Sequence, residues 1–194
     1  MRLAAVTAAL TLPLGASAAG PPSTYAEVAA VVDAAERGEM PAAEALALVT
    51  AAPDAPLAGA ALGRLRVLNS HDTPFVMLKF LEMQKGFDAL NLYVNNHRED
   101  PLPRVWRAAS AVETKYALWS VADTRQDLLS AYDFCRCDPA LPDQTARCKL
   151  LLGLVAKDSG ELEQALRLWA EAFAADPTGA AGKKAAKLLE LFTG

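Results

Sequence analysis

The chain has 194 residues, 53% of them apolar but only 7% aromatic, and a formal net charge of −4. That length supports one domain with a sizeable core. The acidic balance, with a pI near 5.2, excludes the global basic field by which a protein holds DNA or RNA.

The first residues read MRLAAVTAALTLPLGASAAG. Arg2 supplies a positive start, Leu3 to Leu14 an apolar stretch, and Ala16-Ser17-Ala18 a small-x-small cleavage site. This three-part pattern predicts a secretory signal peptide over residues 1–18. The apolar run is shorter than the ~20 residues that span a bilayer, and Pro13 interrupts it. No later run is long and apolar enough to cross a membrane. The expectation is a single domain over 19–194, periplasmic or secreted after cleavage, with no membrane span.

Beyond that segment, apolar residues recur with helical spacing, and strand-like alternation is not seen. Ser23 or Thr24 caps a helix to about Arg37, closed by Gly38. Further helices are read at 41–52 and 57–68, separated by the turn APDAP. Asp72 or Thr73 is read as the cap of the next, with Pro74 at its first position and an end at Lys85. Gly86 is read as a break before a helix over 87–96, and HREDPLP as a loop. Helices then follow near 103–119, 123–136, 143–158, 161–175 and 179–192. Such short helices are marginal alone and must bury an apolar stripe on neighbours.

The segment 160–179, GELEQALRLWAEAFAADPTG, shows how. Leu162, Ala165, Leu166, Trp169, Ala172 and Phe173 share one helical face. The two alanines let a partner helix approach, Trp169 fills the space between neighbours, and Asp176-Pro177 stops the helix.

These residues resemble a tetratricopeptide repeat. In LGLVAKDSGELEQALRLWAEAFAADP, Leu152 and Gly153 match the Leu-Gly pair of the first helix, and Gly160 the turn glycine. Ala165, Trp169, Ala172 and Pro177 match the second-helix pattern, while Lys149 and Ala156 stand where the repeat usually has Trp and Tyr. The clear unit covers 146–179, with relaxed echoes at about 70–103 and 111–145 and a lysine-backed capping helix at 179–192. Pro101, Pro142 and Pro177 lie 41 and 35 residues apart, near the ~34-residue period. The resemblance implies an all-α fold of α-α hairpins stacked into a short right-handed superhelix, a TPR-like α-solenoid.

Three cysteines lie in CRCDPALPDQTARC. In an exported protein thiols this close suggest a disulfide. Cys137–Cys148 joins two helix ends expected to be adjacent; Cys135–Cys148 is the second pairing, and a direct Cys135–Cys137 bond would fight helical geometry. Unpaired core cysteines remain an alternative, as does a redox- or metal-linked module using Cys135, Cys137 and Cys148. His71 and His97 sit in loops without a ligand at helical spacing and are read as solvated. No Ser-His-Asp order, phosphate loop or HExxH is present. The expectation is therefore no enzyme, no cofactor and no metal site.

The family resemblance also implies a concave groove lined by the first helices of the repeats. Carried over residue by residue, it gives Lys115 and Trp119 from one unit and Arg147, Leu150, Leu154 and Lys157 from the clear unit. Trp119 stands where a carboxylate-clamping groove usually has Asn. The partner so implied is a protein or peptide, acidic or carboxylate-ended, and the function that of a protein-binding adaptor.

Overall fold

The computed structural model describes residues 20–135 and 142–193. Among these residues the fold is all-helical. Thr24 opens the first helix, α1 (Tyr25–Glu36): its side chain accepts from Glu27 N, and Glu27 reaches back to the cap, a reciprocal capping box. Then follow α2 (Ala42–Thr50), α3 (Ala58–Ser70), α4 (Val76–Asn96) and α5 (Pro101–Glu113). The chain continues through α6 (Val121–Cys135), α7 (Pro142–Asp158), α8 (Leu162–Ala175) and α9 (Ala180–Thr193). No helix among the described residues is long and apolar enough to cross a membrane.

Each helix packs on the next, and the odd-numbered helices also touch in succession, α1 on α3, α3 on α5, α5 on α7 and α7 on α9. The even-numbered helices do not touch one another among the described residues. The result is two layers of unequal closeness, an α-helical, solenoid-like arrangement whose inner row is odd-numbered. Apolar side chains form overlapping cores along it. Val28, Val49, Leu65 and Trp106 belong to the first, Val105, Leu128 and Val155 to the next, and Ala165, Trp169 and Ala185 to the last. Trp169, Ala165 and Ala172 are fully buried, as their spacing predicts, whereas Leu162 and Phe173 at the edges of that face stay exposed.

Three readings of the sequence are corrected. Gly86 does not break a helix: α4 runs through it without interruption. A Cβ at Gly86 would lie 2.7 Å from the carbonyl oxygen of Gly63. The glycine serves close backbone approach rather than termination. Neither Asp72 nor Thr73 caps that helix; its N-cap is Phe75, without a side-chain cap. Finally, the helix expected over 103–119 ends at Glu113. The Thr114 hydroxyl donates back to Ser110 O at 2.8 Å. Lys115 and Tyr116 take left-handed φ values of 53° and 59°, and Tyr116 N donates to Ala111 O at 2.7 Å. That wrapped ending is the geometry glycine usually supplies. Here the Tyr116 ring packs beside Val67 and Phe87, and its hydroxyl donates to Asp158 at 3.3 Å.

The signal peptide expected over 1–18 lies outside the described residues, as does Cys137 of the preferred disulfide. Cys135 ends α6, and Cys148 is fully buried on α7 in the core shared with α5 and α6.

Candidate functional site

A cavity of about 380 Å³ opens on the inner row of helices. Its walls come from Asp33, Glu36 and Arg37 at the end of α1, Arg64 of α3, and Glu113 of α5. Asp143, Gln144 and Arg147 of α7, Asp176 of the loop after α8, and Lys184 of α9 complete them. Its floor is apolar: Ala109, Leu150, Leu151, Ala180 and Ala181.

The walls are organised around Arg64, which is 1% exposed. A buried guanidinium is tolerated only when its donors are matched and its charge is met. Arg64 Nε donates to Glu36 Oε1 at 2.7 Å and Nη1 to Ser110 Oγ at 3.0 Å. Nη1 and Nη2 each donate to a different Glu113 oxygen at 2.7 Å, a two-pronged pair. Glu36 is shared: Arg147 Nη2 donates to both of its oxygens, and Arg147 Nη1 lies 3.5 Å from Asp33 Oδ1. Four helices are thereby joined by one ionic network.

The network sets the protonation of its members. Burial alone would push the Glu113 carboxyl up, but the charge and hydrogen bonds of Arg64 outweigh it, and the group lies below the usual glutamate range. Asp33 goes the other way: burial raises it, and Arg147 offsets only part of that. Arg64 itself is held firmly protonated, since Glu113 and Glu36 overcome its desolvation.

Of the residues expected in the groove, Arg147 and Leu150 line the cavity. Leu154 is half-buried between two cores, and Lys157 pairs with Asp158 at 3.0 Å at the end of α7. Lys115 is exposed in the left-handed turn after α5. Trp119 packs beside Phe87 and Ala111, with the Arg107 guanidinium 4.5 Å over its ring. Arg107 is in turn held by Asp127 through two bonds of 2.7 Å, so that cation is structural. None of these last four lines the cavity. The cavity is also not cationic, since five carboxylates stand there against four cations.

Asp33, Glu36, Arg64 and Glu113 were not singled out in the sequence. Arg64 left a signal: it falls among Ala60, Ala61, Leu65 and Val67 in an apolar helix, where a cation requires carboxylate partners from elsewhere. His71 and His97 are exposed, and His97 stacks on Tyr93 with centroids 4.0 Å apart. Among the described residues no group of three or more His, Cys, Asp or Glu is placed to hold a metal. Comparison with protein-family models, with curated proteins and with solved structures finds no match to this chain.

Proposed function

We propose that this chain is an exported helical-repeat adaptor of the tetratricopeptide type, without chemistry of its own. It receives a peptide segment of a partner protein in the cavity of its inner helix row. One observation carries this reading: an apolar floor lies between charged walls that the protein's own ion pairs hold in place. Preorganised polar groups around an apolar floor are what a binding pocket needs, because little ordering remains to be done on association.

The balance of charge refines the partner. Arg64 and Arg147 are engaged by Glu36 and Glu113, whereas Lys184 and Asp143 are exposed at the rim. The segment recognised therefore carries an apolar side chain for the floor, with an acidic residue toward Lys184 and a basic one toward Asp143. This differs from the acidic or carboxylate-ended partner that the family resemblance implies.

The test is site-specific cross-linking in cells. A photoreactive residue replaces Lys184, and in a second strain Arg167, which is exposed on α8. The reading expects a discrete protein product from position 184 that is absent from position 167 and lost when Asp143→Lys is added. No product at 184, or the same products at both positions, contradicts it.

A further inference from the structure

The start of α4 exposes six apolar side chains in seven consecutive residues: Phe75, Val76, Met77, Leu78, Phe80 and Leu81. The first three are 66%, 84% and 71% exposed. A cluster of this kind on a folded protein marks a contact surface. We infer that this helix end is a membrane-docking tip that inserts into the headgroup region of a lipid bilayer.

Two observations favour lipid over a protein groove. First, the apolar residues surround the helix. At 100° per residue, Met77, Leu78 and Leu81 lie on the side away from the buried Met83, Phe87 and Leu90, whereas Val76 and Phe80 lie on the same side as those residues. A groove takes one stripe of a helix, whereas an acyl environment accepts all sides. On the next turn the outward side carries Gln84, Lys85 and Asp88, one turn before the exposed Leu92. Seven residues at 1.5 Å each span about 10 Å, the depth to which interfacial helices enter a bilayer.

Second, the only charge within residues 75–81 is the cation Lys79, with no acid, so the tip itself carries nothing that phosphate repels. At its base Glu82 is engaged by Arg66 at 3.1 Å and Lys85 at 2.8 Å.

This inference does not rest on the cavity. Its test is flotation of the full chain with vesicles of phosphatidylcholine mixed with phosphatidylglycerol. The comparison is with the double variant Val76→Asp, Met77→Asp, whose exposed positions are expected to leave the fold intact, with circular dichroism as the check. The wild type is expected to float with the vesicles, and the variant to lose at least about tenfold in partitioning. Because both chains share every other segment, the difference reports the tip alone. Equal flotation of the two, or none by the wild type, overturns the inference. So does a wild-type dimer in lipid-free buffer that the variant dissociates, because the tip would then belong to a second copy.

Discussion

Glu36 of α1 and Arg147 of α7 form an ion pair across the cavity, although 111 positions separate them in the chain. The two helices do not pack on each other. Side chains alone therefore tie the first helix of the stack to the seventh. Arg64 completes the bridge by donating to both Glu36 and Glu113. The cavity keeps its shape because this network is satisfied from several helices at once.

The first prediction concerns that bridge. In a double-mutant cycle of Glu36→Gln and Arg147→Gln, the coupling energy is expected to be about 1–2 kcal/mol, measured by urea unfolding. Both side chains are mostly shielded, at 14% and 17% exposure, so the coupling should exceed that of a surface pair. A coupling near zero would mean that the bridge is not made in solution.

Arg64 and Arg37 both line the cavity but should behave differently on substitution. Arg64→Met leaves Glu36 and Glu113 without their shared cation and is expected to cost about 3 kcal/mol. Arg37 pairs with Glu39 at the surface, so Arg37→Met should change stability by less than about 0.5 kcal/mol. Chemical denaturation of the two variants side by side checks the contrast.

The pH dependence separates Glu113 from Asp33. Glu113 has a lowered folded-state pKa. Its contribution is present above the unfolded value of about 4.3 and is lost as pH falls through the lower folded value. Glu113→Gln should therefore flatten the acid side of the stability profile. Asp33 is raised. Its contribution is complete below the unfolded value of about 3.9 and is lost as pH rises through the raised one. Relative to wild type, Asp33→Asn should gain stability on going from about pH 3 to 6. Thermal melts across that range read both slopes.

Gly63 and Gly86 should reverse the usual helix rule. Replacing glycine by alanine inside an exposed helix is favourable by about 1 kcal/mol. At Gly63 a Cβ would lie 2.7 Å from Gly86 O and 2.8 Å from Leu90 Cγ. Gly63→Ala and Gly86→Ala are each expected to cost about 2–3 kcal/mol, because backbone cannot shift as a side chain can. Gly59→Ala meets only the Tyr93 ring at 3.2 Å and should be close to neutral. Melting temperatures of the three variants decide this.

The all-helical architecture was legible because its signals are local. Thr24 with Glu27, the turn glycine at Gly160 and the Ala165–Trp169–Ala172 face each act within a few residues. The run through Gly86 was not, since only the neighbouring Gly63 reveals that the missing side chain serves packing. The end of α5 was missed because Lys115 and Tyr116 adopt left-handed backbone without glycine, supported by Asp158 from another helix. The cavity was the least legible part. Arg147 was found through the resemblance, but the carboxylates that hold it come from α1, more than a hundred positions earlier. Local periodicity carries no record of a pairing that distant.

The central claim is that the inner cavity receives a peptide segment, and the most direct measurement is selection from a random peptide display library. The full chain would be the bait, followed by fluorescence titration of the enriched sequences against wild type and the double variant Asp143→Lys, Lys184→Glu. The account predicts enriched peptides with an apolar residue between opposite charges, competing for one site and losing at least about tenfold in affinity to the variant. No enrichment, or enriched peptides that bind the variant as well as wild type, would contradict it.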